Sequence, residues 1–592
     1  MEQSQERPWY QNYPQEVAPA LQVPSLSVAD LLLQAAAKYP SHEALYFLGK
    51  KTTYRELLAS AQRMAGGLQT AGIQKGDRVA IMLPNCPQLV IAYFGILLMG
   101  GTVVMTNPLY VERELEHQLR DSGASAIVML DLFYSRLAKV RGEAPEKGPL
   151  PFLKHIIVTS VQDALPFPKN LLYPIKQHRA GHNPTIPYGR DGIKRFQTFL
   201  AKAPAKPAEV MIASEQDVAV LQYTGGTTGL PKGVMLTHRN LVANSVQMAA
   251  WCYRMKDGSE RFLAALPLFH VFGLTVLMNQ SVMRAGTLIL LPRFEAAAVL
   301  QTIRKQKPTF FPGAPTMYIA LLNHPDVNNY DLSSINICIS GSAPLPLEVQ
   351  KKFEALTGGR LIEGYGLTEA APVTHVNPIW GKRKVGSIGL PVSETEIRIV
   401  DLETAELLPA GQVGELLIRG PQVMAGYWNR AEETAAVLQD GWLHTGDLAA
   451  MDSDGFFTIV DRIKDLIIAG GYNIYPREIE EVLYEHPGVR DASIIGVQDP
   501  YRGETVKAFI VLRKGWQVSS TQLDVWCRAR LAAYKVPHLY EFRSELPMSM
   551  MGKILRRKLH EEEAAKEKQL NPVEPEEEQA DQKQADQEEE QP

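Results

Sequence analysis

Cysteine is scarce in this sequence: four in 592 residues, Cys86, Cys252, Cys338 and Cys527, none in a CxxC pair. That spacing suggests neither a disulfide framework nor a zinc site, and a reducing cytoplasm fits it best. An unbroken apolar run of membrane-spanning length is also missing. The longest uncharged stretch, residues 79–111, is interrupted by Pro84, Pro87, Gly95, Gly100, Gly101 and Pro108 and predicts strand, buried helix and strand instead. The opening MEQSQERPWYQNYPQ lacks the basic-then-apolar order of a secretory signal, so no export is expected. No stripe of basic residues interleaved with aromatics points to nucleic acid, and no internal repeat is found.

What is present is an ordinary globular composition in a long chain. With 592 residues, 45% of them hydrophobic, two or more domains are expected. The formal net charge of −4 is unevenly spread: residues 571–592 carry nine carboxylates against Lys583 alone, which leaves about +4 on the remainder. This tail has almost nothing apolar to bury and is expected to be disordered and solubilising.

Apolar residues recur at helical spacing over 25–38, and Thr53 with Glu56 three residues later predicts a capping box on a helix reaching Gly72. Strand runs at 79–83, 126–130 and 156–159 then alternate with helical patterns, which predicts parallel sheets covered by helices. Over 163–206 the pattern dissolves into a Pro- and Gly-rich stretch with eight Lys or Arg against Asp163 and Asp191. It reads as a surface excursion, either a solvated loop or a segment that touches an anionic lipid surface. The alternation resumes with strands at 262–267, 287–292 and 335–341 and helices at 274–284, 294–306 and 346–356. Short turn-rich segments over 385–428 suggest an antiparallel subdomain, and a second compact unit begins past Asp461.

One stretch stands apart, YTGGTTGLPKGVMLTH at 223–238, a loop between a predicted strand over 218–222 and a helical pattern beginning at Thr237. Gly225, Gly226, Gly229 and Gly233 allow close backbone approach, Thr224, Thr227 and Thr228 supply hydroxyls, and Lys232 supplies a mobile cation. Such a loop suits a polyphosphate. It departs from the Walker phosphate loop, in which lysine is followed by Ser or Thr; here Gly233 follows Lys232.

YTGGTTGLPKG resembles the phosphate-binding signature of the adenylate-forming superfamily of acyl-CoA synthetases, peptide-synthetase adenylation domains and luciferases, and further segments match in family order. GYGLTE at 364–369 resembles the adenylate motif. That likeness implies Tyr365, beside Gly364, stacking on adenine, Thr368 at the α-phosphate, and Glu369 together with Thr224 at Mg2+. An aromatic face, a hydroxyl and a carboxylate are what a magnesium nucleotide asks for. WLHTGD at 442–447 resembles the segment whose aspartate meets both ribose hydroxyls, a role that falls on Asp447. DRIKD at 461–465 resembles the hinge between a large and a small domain, with Arg462 at the ribose and Lys464 at the pivot. LPLFH at 266–270 resembles the segment near the activated carboxylate, with His270 as a steric gate more than a base. SGSAP at 340–344 resembles the adenine border, giving Gly341, Ser342 and Ala343 as a thin backbone wall. MGKILRR at 551–557 resembles the catalytic-lysine motif and assigns that role to Lys553, although Met551 stands where Ser or Thr is usual. GGYNIYP at 470–476 resembles the loop lining the pantetheine tunnel, through Gly470 and Gly471.

The resemblance covers roughly residues 25–560 and implies an α/β fold. A large N-terminal domain of parallel βα subdomains with a small antiparallel barrel-like subdomain is followed by a small mobile α+β domain. The implied boundaries are an extension over 1–24, the large domain over 25–461, the hinge over 462–465, the small domain over 466–562 and the acidic tail over 563–592. The implied reaction is ATP-dependent activation of a carboxylic acid to an acyl-adenylate, then transfer to CoA, with Mg2+ as cofactor. Within the superfamily the hinge and LPLFH segments look most like those of long- or medium-chain fatty acid–CoA ligases, with aryl- or coumarate-type ligases next. An acyl sensor without turnover is a third reading if Met551 disables Lys553. The expected substrate is a fatty acid and the expected location the cytoplasm. Peripheral contact with the inner face of the membrane, a homodimer and the preferred chain length stay open.

Overall fold

The computed structural model describes residues 7–142, 146–182, 184–224, 231–469, 472–499, 501–549 and 552–570. The chain is α/β and forms two compact units, Met1–Ile459 and Val460–Pro592.

In the first unit Arg78–Met82, Thr102–Met105, Ala126–Leu130 and His155–Thr159 are apolar on both faces and buried almost throughout, as strands covered by helices on each side must be. They pair in parallel within an eight-stranded sheet that ends on one side at Ile193–Arg195. On the other side Val218–Thr224 joins in parallel, and the sheet then turns antiparallel through Lys232–Thr237 and Gly426–Tyr427. A second sheet aligns Arg261–Ala264, Thr287–Leu290 and Glu43–Phe47 in parallel, with Lys50–Thr53 folded back on its edge. A third runs through Ile337–Ser340, Arg360–Gly366, Val373–Val376 and Leu390–Pro391. The antiparallel subdomain consists of Glu396–Val400, Val413–Arg419, Trp442–Met451 and Leu438–Gln439.

Helix starts follow the local chemistry. Ser27 with Asp30 and Thr53 with Glu56 form reciprocal capping boxes at Val28–Lys38 and Tyr54–Thr70. The uncharged run over 79–111 is strand, buried helix Pro87–Leu98 and strand. No helix among the described residues is long and apolar enough to cross a membrane.

Three stretches differ from the sequence pattern. Residues 163–206 are not one loop. They contain the helix Lys169–Arg179, the strand Ile193–Arg195 and the helix Phe196–Lys202, the last held by buried Phe196, Phe199 and Leu200. The helical pattern over 274–284 is a π-helix, Gly273–Asn279, that passes into Gln280–Met283 with nearly every residue buried. Residues 8–24, set apart above as an extension, pack into the first unit. Trp9 is only 1% exposed and meets Phe457 edge-on at 5.9 Å between ring centroids, and the Tyr13 hydroxyl donates to the Pro391 carbonyl.

The second unit is an antiparallel sheet of Tyr472–Ile474, Ile467–Ala469, Gly503–Leu512 and Val489–Asp499, with Leu539–Phe542 added in parallel. The helices Pro476–Tyr484 and Ser520–Arg528 close its core through Ile479, Leu483, Leu523 and Cys527. The helix Arg556–Leu570 continues past residue 562, and Lys507 donates to Glu563 on it at 2.6 Å. The first residues of the expected acidic tail, 563–570, thus belong to this helix, and the rest, 571–592, lies outside the described residues.

Because a buried tryptophan anchors the N-terminal segment, Trp9→Ala is expected to destabilise the first unit by about 3–5 kcal/mol, the range for large aromatic truncations. Chemical unfolding monitored with the full chain checks this, and a change under about 1 kcal/mol would show that the segment is not integral.

Candidate active site

The polyphosphate-type loop is carried by a hairpin, not by a strand and a helix. Val218–Thr224 and Lys232–Thr237 pair antiparallel with Tyr223 opposite Gly233 and Thr224 opposite Lys232. The expected helix begins only after this second strand, at His238, where Thr237 and Asn240 cap each other. The correction has a simple cause: KGVMLT is a short β-type run that the glycines before it obscured. Gly225, Gly226, Thr227, Thr228 and Gly229 lie outside the described residues, so the site is defined by the two strand ends that hold the loop.

Those ends are tied down through Asp121. Its carboxylate accepts from the Tyr223 hydroxyl at 2.6 Å and from Arg430 at 3.0 Å, and its carbonyl accepts from the Trp428 indole at 3.1 Å. Burial and the neighbouring carboxylate push the Tyr223 phenol well above its usual range, so it stays a donor. Lys232 pairs with Glu433 and lies 5.1 Å from the centroid of the Tyr427 ring. The Tyr427 hydroxyl in turn donates to Glu369 Oε1 at 2.9 Å, and the Met424 N–H donates to the Glu369 carbonyl at 2.8 Å. Asp121, Tyr427, Arg430 and Glu433 escaped the sequence analysis. The partners that tie them to the motifs lie 58 or more residues away, and only the GYW run at 426–428 hints at a packed edge.

The adenylate motif leaves the strand Arg360–Gly366 and turns into Thr368–Ala370. Gly366 is required there, since a Cβ would stand 2.0 Å from the Pro372 carbonyl. Tyr365 meets His375 edge-on at 5.8 Å, and its hydroxyl donates to Asp447 Oδ2. Two motifs 82 residues apart thus share one hydrogen bond. Asp447 is set by its own segment and the paired strand Val413–Arg419: Thr445 donates to the Leu416 carbonyl, Glu415 accepts from the Gly446 N–H, and Thr445 Oγ1 accepts from the Asp447 N–H. Gly341 takes its N–H to the Gly313 carbonyl, Ser342 adopts φ +72°, and Ala343 follows, forming a short backbone wall after the strand Ile337–Ser340.

His270 Nδ1 accepts from the Phe272 N–H at 3.3 Å, and burial holds its imidazole down at about 4, so it is neutral near pH 7. That fits a shape-defining side chain better than a base. Its segment is clamped by Asn85, another residue the sequence did not flag, which donates to Ala264 and Leu266 and accepts from the Leu268 N–H.

In the second unit Arg462 and Lys464 follow Asp461, whose carboxylate accepts from the Arg462 and Arg477 N–H groups and from Arg556. Arg556 also pairs with Asp465 and Glu480, which raises its already high pKa further. Lys553 is exposed on a turn in which Ser549 Oγ accepts the Lys553 N–H at 3.1 Å and the Ser549 N–H donates to the Lys553 carbonyl. Ser549 therefore supplies a hydroxyl hydrogen bond to the Lys553 backbone although residue 551 is Met and not the usual Ser or Thr. Met551, Gly470 and Gly471 lie outside the described residues.

Among the described residues no three His, Cys, Asp or Glu side chains cluster as a self-sufficient metal cage. Glu369 and Thr224 offer one carboxylate and one hydroxyl, an oxygen set suited to Mg2+, which is commonly held by one or two protein groups with substrate phosphates and water.

Lys232 opposite Thr224 at the strand ends, Tyr365 bonded to Asp447 and Glu369 bonded to Tyr427 give the first unit a cation, hydroxyls, an aromatic and carboxylates, the residue types that a magnesium nucleotide asks for. The AMP-binding enzyme family model matches residues 32–428, and that of the AMP-binding enzyme C-terminal domain matches 478–553. A long-chain fatty acid–CoA ligase of Bacillus subtilis (strain 168) is 53% identical over 94% of this chain and 98% of its own. One of Escherichia coli O157:H7 is 41% identical over 94% and 98%. The crystal structure of an anthranilate–CoA ligase in complex with anthranoyl-AMP superposes with a TM-score of 0.79 at 29% identity, covering 92% of this chain and 98% of that one. The chain belongs to the AMP-binding enzymes.

Two wholly buried histidines near this site make stability depend on pH. His238 is held at about 4 and His375 at about 3 by burial, against about 6.5 in an unfolded chain. As pH falls below about 6.5 the unfolded chain takes up protons that the native one refuses. Stability is therefore full above that pH and declines on acidification, by up to ~1.4 kcal/mol per pH unit for each histidine. Urea midpoints between pH 7 and 5 should show this slope, and His375→Phe should reduce it; an unchanged slope would contradict the assignment.

Proposed function

We propose that the chain is a fatty acid–CoA ligase that activates a long-chain fatty acid with ATP to an acyl-adenylate and then transfers the acyl group to CoA, releasing AMP and pyrophosphate. The observation that carries this reading is the hydrogen bond between Tyr365 and Asp447, which sets an adenine-type aromatic beside a ribose-type carboxylate. The two long-chain relatives support the acyl class. Lys232 serves the β- and γ-phosphates, Thr368 the α-phosphate, and Glu369 with Thr224 would hold Mg2+, which when bound neutralises phosphate charge. Gly341, Ser342, Ala343 and Gly364 border the base, and His270 closes the end of the acyl site. Positioning two anions against each other is most of the task, and fixed cations lower its barrier.

Lys553 and Arg462 act from the second unit. Lys553 serves adenylation, and the glycines at 470 and 471 serve the pantetheine arm. The two half-reactions therefore call for rotation of that unit near Lys464. An aryl–CoA ligase is the second reading, favoured by the solved neighbour that holds anthranoyl-AMP.

The protein works in the cytoplasm and touches the inner face of the membrane through the helix Lys169–Arg179. Leu171, Leu172 and Ile175 are more than half exposed there, Phe167 before it is 78% exposed, and Lys169, Lys176 and Arg179 are its charged residues, with no carboxylate among them. An apolar face rimmed by cations suits an anionic bilayer surface.

Pyrophosphate release with palmitate but not cinnamate is expected, and the reverse would replace the fatty acyl reading with the aryl one. Lys553→Ala should slow adenylation by roughly 10²-fold or more, the scale of losing one charge-stabilising group, while thioester formation from supplied acyl-adenylate stays near normal. Equal loss of both half-reactions would contradict the alternating roles. Anionic vesicles should sediment the protein, and Leu171→Ser with Ile175→Ser should abolish this without changing turnover of soluble substrate; retained sedimentation would remove the helix from the model of membrane contact.

A further inference from the structure

We propose that Tyr427 is a positioning residue that orients the Glu369 carboxylate for Mg-nucleotide while holding the Lys232 ammonium on its ring face. The inference rests on the nucleotide site proposed above and goes beyond it, since none of the matched motifs includes this tyrosine.

One segment reaches both charged groups. Gly426–Tyr427 is zipped onto the strand that bears Lys232, with Gly426 opposite Met235 and Tyr427 opposite Val234. The Trp428 N–H donates to the Gly233 carbonyl at 2.8 Å, and the Tyr427 N–H donates to Thr434 Oγ1 at 2.9 Å. From this splint the Met424 N–H holds the Glu369 backbone and the Tyr427 hydroxyl holds its Oε1. A bond to one carboxylate oxygen fixes the rotation of the group and so the direction of the other oxygen. The ring face 5.1 Å from Lys232 Nζ supplies the electrostatics a cation seeks, and Glu433 pairs with the same ammonium. Only a phenol does both. Burial, Glu369 and Glu433 push its pKa upward, so the hydroxyl remains a donor at every working pH.

Phe at this position keeps the ring and loses the donor, whereas Leu loses both. Equilibrium binding of ATP to the full chain is measured with Mg2+ and with EDTA. Tyr427→Phe is expected to weaken ATP binding about 10-fold with Mg2+, equivalent to ~1.4 kcal/mol, and less than about 2-fold in EDTA. Tyr427→Leu should weaken both. In a Glu369→Gln background Tyr427→Phe should add nothing further to the Mg2+ effect, because the carboxylate it orients is gone. Thermal midpoints of the Phe variant should match the parent, which separates positioning from folding. Equal weakening with and without Mg2+, no weakening at all, or full additivity with Glu369→Gln would each overturn the role of Tyr427. If the parent protein itself binds no ATP, the nucleotide site falls and this inference with it.

Discussion

The site depends on the antiparallel pairing of Val218–Thr224 with Lys232–Thr237. Residues directly opposite in such a pair project to the same face, so the register that sets Thr224 against Lys232 places a hydroxyl and a cation together at the mouth of the loop. A slip of one residue would turn both away from each other. The register is guarded on both sides. Behind it stands the parallel sheet with its buried Val103, Val104 and Ile81, and at the edge Gly426–Tyr427 adds a further strand. Asp121 gathers the ends through Tyr223, Trp428 and Arg430, so the hairpin has little freedom to shift.

Charge around this hairpin is arranged in opposed pairs joined by neutral aromatic hydroxyls. Lys232 faces Glu433, Arg430 faces Asp121, and tyrosines bridge to Asp121, Glu369 and Asp447. Phenols suit this task because they donate a hydrogen bond without adding charge. Burial holds the His238, His270 and His375 imidazoles below their usual range, so each is neutral near pH 7. In the second unit the same logic reappears with opposite sign: Arg556 collects Asp461, Asp465 and Glu480 and fixes the base of the turn that presents Lys553.

Local signals were enough for much of the fold. Buried parallel strands such as Ala126–Leu130 announce themselves as short continuous apolar runs, and the caps at Thr53 and Ser27 follow from two side chains three residues apart. The motifs that carry Lys232, Tyr365, Glu369, Asp447 and Lys553 are contiguous and were legible for that reason. Where the signal was short or mixed it failed. KGVMLT is too brief beside its glycines to be read as a strand, and the prolines of 163–206 masked two helices and a strand. The N-terminal segment looked like an appendage because one tryptophan, Trp9, carries most of its burial.

By itself the sequence determined the family and the class of chemistry, since loop composition and motif order are properties of short stretches. It also determined the two-unit α/β plan, through the alternation of apolar strands with amphipathic helices. Tertiary structure alone decided which side chains hold the motif residues in place. Asp121 and Arg430 meet across 309 positions, Tyr427 and Glu369 across 58, and Asn85 reaches the LPLFH segment across about 180. Such contacts form because sheet pairing brings remote backbone together, and hydrogen bonds of under 3.2 Å depend on that final geometry; no local pattern encodes them.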